Sequence, residues 1–468
     1  MNFKSILSYL GTILEILGIL ILIPIFIAWI YEENIYLNFL VPATISFILG
    51  SFLDRYFKKD ELTLGSAVVL SALSFILISL IGSIPYLSYL PPLDAVFESV
   101  SGFTTTGLTV VVPEDLPNSL LFWRSFTQWI GGIGILIIFL LLISSPGISS
   151  YYLYQAQTSG QKIEASVSHT VKKMFKIYSI YTVVGIILLT IAGMPFFDAI
   201  LHSFTSISTG GFSPKSESIG FYNNPSIEII IILLMVLGST SFFVHDKLFK
   251  LKFKQYVENM ETRIFWIIIL FFSVLVSFSF LTLNDPVRNG IFQTFSALTT
   301  TGYTTLSSNI PNVSKSLLII LMIIGGYAGS TAGGIKLVRF GVLGKSIAWI
   351  SRKISLPPTV ITPFKFGKKL MKDADVTIIS IFICIYILIL SISSVFISFL
   401  GYPPLDSFFE VASAEGTVGL SVIDLKPMHW SGKIVLIINM LFGRLEILPF
   451  LTLFYSIYRA VYNKFFMS

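Results

Sequence analysis

A glycine-centred hexapeptide occurs four times in this chain, and that repetition constrains the fold more than any other feature. Thr104-Thr105-Thr106-Gly107-Leu108-Thr109, Ser208-Thr209-Gly210-Gly211-Phe212-Ser213, Thr299-Thr300-Thr301-Gly302-Tyr303-Thr304 and Gly416-Thr417-Val418-Gly419-Leu420-Ser421 align without a gap. Thirteen residues before each glycine stands Asp94, Asp198, Asn289 or Asp406, followed by apolar pairs such as Val96-Phe97 and Phe408-Phe409. A fixed internal offset marks a structural unit, and a spacing of roughly 90 to 120 residues is too long for a solenoid.

Composition says where these units live. The chain is 54% hydrophobic and 12% charged, with a mean hydropathy of +0.84, which identifies a polytopic membrane protein. The one cysteine, Cys384, lies in an apolar run and leaves no disulfide framework. His169, His202, His245 and His429 are scattered without metal-ligand spacing, and no P-loop or Ser/His/Asp arrangement occurs. The chain therefore reads as no enzyme, with no organic cofactor and no nucleic-acid partner.

Apolar runs predict an all-α fold of ten spans in membrane lipid: 6–30 and 37–53, then two per repeat at 62–84 and 120–143, 177–192 and 227–244, 264–283 and 317–342, 376–400 and 434–455. The first run is too long for a signal peptide and is expected to stay as a helix. The units are 1–60, an N-terminal helix pair, followed by pore repeats at 61–150, 151–255, 256–350 and 351–468. Pro85, Pro91-Pro92, Pro195, Pro286 and Pro403-Pro404 mark where each first span stops and turns.

Lys and Arg concentrate in the linkers between repeats, most densely from Lys345 to Lys372. The positive-inside rule then places both termini and the linkers in the cytoplasm of a cell-membrane protein, with the glycine segments entering from outside. Those basic linkers serve topology, a partner's docking, or both. A two-span repeat ends on the side where it began, so the four copies are parallel around one axis, giving pseudo-fourfold symmetry about a central pore. Irregular backbone at membrane depth must be buried in protein or line a water-filled path.

The central glycines can turn carbonyls toward that axis, where four of them with Thr and Ser oxygens replace a monovalent cation's hydration shell. The half-helices before them aim partially negative C-termini at the same point. Asp94, Asp198 and Asp406 are expected to cap the half-helices' N-termini. Glu98, His202, Gln293 and Glu410 share one column and are expected to anchor the half-helices. Only the fourth segment, with Thr417-Val418-Gly419, approaches a full potassium-channel filter, which predicts one dominant cation site near the four glycines and modest selectivity.

Three further stretches stand out. Trp123-Arg124-Ser125-Phe126-Thr127-Gln128-Trp129-Ile130-Gly131-Gly132-Ile133-Gly134 opens the second span of repeat one. Gly325-Gly326-Tyr327-Ala328-Gly329-Ser330-Thr331-Ala332-Gly333-Gly334-Ile335-Lys336 interrupts that of repeat three, either as an unwound segment across the pore or as a small-xxx-small packing face. Phe442-Gly443-Arg444-Leu445-Glu446-Ile447 puts a charge deep in the last span, facing a cavity or pairing with a carboxylate of another repeat. Glu415 breaks the pattern, since its column otherwise holds Phe103, Ile207 and Leu298. It attracts cations, pairs with a base, or sits neutral and hydrogen-bonded.

With these motifs the whole chain resembles the Trk/Ktr/HKT superfamily of potassium transporters, and its N-terminal pair is similar to the Trk branch, a TrkH-like membrane subunit. The resemblance implies a filter for K+ from residues 104–107, 208–211, 299–302 and 416–419. It also implies a gate from Gly325, Gly326, Gly329, Ser330, Thr331, Gly333, Gly334 and Lys336, with Arg444 as an electrostatic barrier below the filter. It implies a homodimer on a cytoplasmic nucleotide-binding regulatory subunit of the TrkA/RCK type. Serine for the first filter glycine goes with sodium in that family, and here Gly107 is intact. The expected function is potassium uptake through a gated, channel-like pore; the alternatives are a Na+- or H+-coupled K+ symporter, with Glu415 and Glu446 as candidate carboxylates, or a Na+-conducting member.

Overall fold

The computed structural model describes residues 3–134, 137, 140, 166–306, 310–357, 362–367 and 369–466. Among them the chain is helical apart from turns and loops and one antiparallel hairpin, Phe364–Phe366 with Lys369–Met371. The N-terminal helices, Phe3–Ile30 and Tyr36–Tyr56, cross at Gly11 and Gly50. A Cβ on Gly11 would stand 2.6 Å from the Gly50 carbonyl oxygen, so only small residues permit this approach. The loop between them sends Glu33 to the start of repeat one's second helix. There its carboxylate accepts the N–H groups of Asn118 and Ser119 at 2.6 and 3.1 Å, two donors that a helix N-terminus leaves without intrahelical partners.

Each repeat has a first helix (Leu64–Gly82, Val167–Ile191, Met260–Ser279, Asp373–Phe399), a short pore helix (Pro92–Phe103, Phe196–Ile207, Pro286–Leu298, Pro404–Glu415) and a second helix (Asn118–Ile133, Pro225–Ser239, Asn312–Ile324, Trp430–Leu445). The pore helices start at or just after proline, whose fixed φ and missing N–H suit a first turn. At 1.5 Å per residue they reach only about 18–20 Å, partway through a bilayer. Each first helix packs on its own pore helix, and each second helix packs on the pore helix of the next repeat. The last contact, Trp430–Leu445 on Pro92–Phe103, closes the ring from repeat four to repeat one.

Two expectations need correction. The second members of the repeats are not continuous spans. Asn118–Ile133 ends at Gly134, with φ of +90°. Pro225–Ser239 bends by 109° into Phe242–Phe249. Asn312–Ile324 stops at Gly325, φ +71°, and Trp430–Leu445 turns by 107° after Glu446, φ +62°. Six helices among the described residues are long and apolar enough to cross a membrane, or eight with each bent pair taken as one. The far end of the expected 120–143 span and the 150/151 boundary lie outside the described residues.

The aligned aspartates, moreover, are not N-caps. Proline displaces them to the third helical position, where Asp94 pairs with Lys433 at 2.6 Å and Asp406 with Lys315 at 2.5 Å, while Asp198 accepts the Tyr222 hydroxyl at 2.6 Å. The lysines come from the preceding repeat's second helix, so these bonds staple one repeat to the next.

Candidate functional site

The four pore helices end in one geometry. In each, the residue after the C-cap is a left-handed threonine: Thr105, Thr209, Thr300 and Thr417, with φ of +55°, +53°, +54° and +49°. Its N–H and that of the next residue bond back into the last turn, as Thr105 N to Gly102 O at 3.0 Å and Thr106 N to Ser101 O at 2.9 Å. The pattern is a Schellman cap with threonine at the position that usually takes glycine. Two residues on, Gly107, Gly211, Gly302 and Gly419 also have positive φ, +88°, +75°, +82° and +94°.

The segments meet one another in cyclic order. A Cβ added to Gly107 would strike the Gly210 carbonyl oxygen, one on Gly211 that of Thr301, one on Gly302 that of Val418, and one on Gly419 that of Thr106. Each glycine therefore abuts the carbonyl preceding the next repeat's glycine, and no side chain fits anywhere around the circle. Thr104, Ser208, Thr299 and Gly416 are the C-caps that lead into it. Gln128, within the Trp123–Gly134 stretch, braces the second segment by donating to Gly210 O at 2.7 Å and accepting from Phe212 N at 3.1 Å, a role that no local motif announces.

Below the ring lies the stretch 325–336, which is unwound rather than a helical packing face. Its backbone groups are satisfied by the break in repeat two: Tyr327 N bonds Ser239 O at 3.1 Å, Thr331 N bonds Gly238 O at 3.3 Å and Phe242 N bonds Gly329 O at 3.2 Å. Glu261 accepts Ala328 N at 3.0 Å, and Ser330 closes a turn onto Tyr327 O at 2.7 Å. Gly325 and Gly334 back onto each other, Gly326 abuts Ala332, and Lys336 folds its ammonium onto the Ala332 carbonyl.

This stretch and Arg444 touch all four left-handed threonines. Thr331 Oγ1 lies 3.2 Å from Thr209 Oγ1, and Gly333 N donates to Thr300 Oγ1 at 2.7 Å. A Cβ on Gly333 would collide with Thr417 Oγ1 and the Gly416 carbonyl. Arg444 donates to Thr105 Oγ1 at 3.1 Å, Thr331 O at 2.7 Å, Gly132 O at 2.8 Å and the Gly131 carbonyl. Its partners are thus a hydroxyl and three carbonyls, and no carboxylate among the described residues pairs with it. Glu446 instead meets Arg339 at 2.6 Å, an ion pair tying the helix after the unwound stretch to the break in repeat four.

Glu415 is fully buried, and neither carboxylate oxygen has a hydrogen-bond partner among the described residues. Of its three readings, neither the basic partner nor the hydrogen-bonded pocket occurs among the described residues.

A family model for TrkH, a cation transport protein, matches residues 38–460. An uncharacterized cation transporter of Methanocaldococcus jannaschii is 38% identical over 98% of this chain and 96% of its own length. The Trk system potassium uptake protein TrkH of Escherichia coli is 31% identical over 97% of this chain and 99% of its own. The crystal structure of the potassium transporter TrkH from Vibrio parahaemolyticus superposes with a TM-score of 0.86 at 29% identity, covering 97% of this chain and 98% of that one.

Proposed function

Since the chain belongs to the TrkH family of cation transport proteins, we propose that it takes up potassium through the ring of four glycine segments, as a gated and channel-like pore in the cell membrane. The observation that carries this reading is the cyclic contact of four positive-φ glycines with four carbonyls. Such oxygens replace the hydration shell of a monovalent cation, and the C-terminal ends of four pore helices add negative potential at the same point. The relatives named for potassium uptake, matched over nearly their full length, favour K+ as the ion.

The unwound stretch 325–336 is the gate in this reading, and Arg444 is its latch. Together they contact a threonine of every segment, and the guanidinium adds a positive charge on the exit path. Both termini face the cytoplasm, the working form is a homodimer, and a nucleotide-binding subunit of the TrkA/RCK type docks on the basic linkers.

A second reading, K+ uptake coupled to H+ or Na+, draws on Glu415, because a buried membrane carboxyl with no hydrogen-bond partner among the described residues is the kind of group such coupling employs. Reversal potentials across proteoliposomes holding the full chain, in opposed K+ and Na+ gradients at two pH values, test both. A potential at the K+ equilibrium value at either pH supports the pore. A potential that moves with the proton or sodium gradient supports coupling, and one at the Na+ equilibrium value rejects potassium.

A further inference from the structure

Each glycine segment leaves the ring through a hydroxyl two positions after the glycine: Thr109, Ser213, Thr304 and Ser421. In all four repeats a fully buried polar side chain of the same repeat's pore helix holds that hydroxyl, always from nine residues before the glycine: Glu98, His202, Gln293 and Glu410. Thr109 donates to Glu98 Oε1 at 2.5 Å, and Ser421 donates to Glu410 Oε1 at 2.8 Å. Gln293 Nε2 donates to Thr304 Oγ1 at 2.7 Å. His202 Nδ1 lies 2.9 Å from the Asp198 carbonyl, so in the neutral ring Nε2 accepts from Ser213, 3.2 Å away.

The hold passes on to the backbone. In the first three repeats the hydroxyl accepts the N–H two residues further on, from Val111 at 3.2 Å, Lys215 at 3.0 Å and Leu306 at 3.0 Å. In the fourth, Glu410 itself takes the N–H groups of Val422 and Ile423 at 2.6 and 2.9 Å. Three residue types perform one duty at one offset, which packing alone does not require. An apolar side chain would fill the same volume but withdraw the pore helix's polar hold on the hydroxyl.

We propose that Glu98, His202, Gln293 and Glu410 are positioning residues that hold the outer half of the filter at its working width, and that ion discrimination depends on them. This rests on the reading of the glycine segments as a cation filter. The load is unequal. Glu98 is coupled through Arg124, whose Nε lies 3.2 Å from Glu98 Oε2 and whose NH1 donates to Ser213 O at 3.2 Å, so one side chain steadies segments one and two. Glu410 concentrates three donors on one oxygen, while its other oxygen has no hydrogen-bond partner among the described residues.

The test uses the full chain in liposomes and reads the K+/Na+ permeability ratio. Glu410→Ala removes the acceptor of three donors and is expected to lower the ratio on the order of tenfold or more. Glu410→Gln keeps the accepting oxygen and is expected to stay within about twofold of wild type. Ser421→Ala removes one of the three bonds from an exposed partner and is expected to lower the ratio too, which serves should Glu410→Ala fail to fold. A selective wild type whose ratio survives both alanine variants overturns this inference alone, as does a Gln variant that falls as far as Ala. A wild type that passes no potassium overturns the filter reading and this inference with it.

Discussion

Arg444 is where the geometry makes its largest quantitative commitment. Two of its four hydrogen bonds, to Thr105 Oγ1 and Thr331 O, join the underside of the ring to the unwound stretch, and the one to Thr331 must break if that stretch moves aside. A hydrogen bond from a charged donor contributes about 1.5–3 kcal/mol, and this one favours the closed arrangement by as much. Its loss shifts the closed-to-open ratio by about 10 to 10². The charge acts in the same direction, since two unit charges about 6 Å apart at an effective dielectric near 20 repel by roughly 3 kcal/mol. Arg444→Ala is thus expected to raise rubidium uptake into proteoliposomes by about a hundredfold or to the conduction limit, whichever is lower. Arg444→Lys separates the two contributions: it keeps the charge but lacks the planar fork that reaches several acceptors. Uptake by a folded, monodisperse Arg444→Ala protein within twofold of wild type would refute the latch and the barrier together.

Other consequences are as open to measurement. Gly333→Ala puts a methyl into the Thr417 hydroxyl and the Gly416 carbonyl, so the stretch must leave its seat; basal leak should rise, and an unchanged leak would show that the seat has slack. Glu446→Gln removes the charge opposite Arg339, worth about 1 kcal/mol for a partly buried pair. A rise in flux of about fivefold is expected, and Arg339→Gln added to it should change little in a double-mutant cycle. Glu33→Ala strips the helix beginning at Asn118 of its external cap at about 1–2 kcal/mol, lowering the thermal midpoint in detergent while leaving the K+/Na+ ratio intact; a changed ratio would mean that the cap reaches the ring.

The repeat, its glycines and the unwound stretch were legible because each uses a residue with a distinctive backbone requirement. What escaped notice used residues without one. Thr105 and its three counterparts occupy a left-handed position that sequence rules assign to glycine or asparagine, yet all four are threonine, and their hydroxyls lie against the unwound stretch and Arg444. The breaks at Thr240 and Glu446 fall on residues other than glycine, two and three positions after Gly238 and Gly443, and the runs around them read as one helix. Asp94 and Asp406 looked like caps because a first-turn aspartate and an N-cap differ by three positions, and the preceding proline settles which one forms. Gln128 was invisible for another reason: its partner, Gly210, lies 82 residues away in the chain, and no local pattern reports such a contact.

The closure of the ring also bears on how the chain is made. Each pore helix is packed by the second helix of the preceding repeat, which for repeats two, three and four has already left the ribosome. For repeat one the packing element is Trp430–Leu445, and both the Lys433 to Asp94 pair and the Arg444 to Thr105 bond join residues 339 positions apart. The first re-entrant segment inserted is therefore the last to gain its neighbour. Until translation is nearly complete it waits in the bilayer with one flank unprotected, and a ribosome that stalls before repeat four leaves a membrane protein with three quarters of a ring.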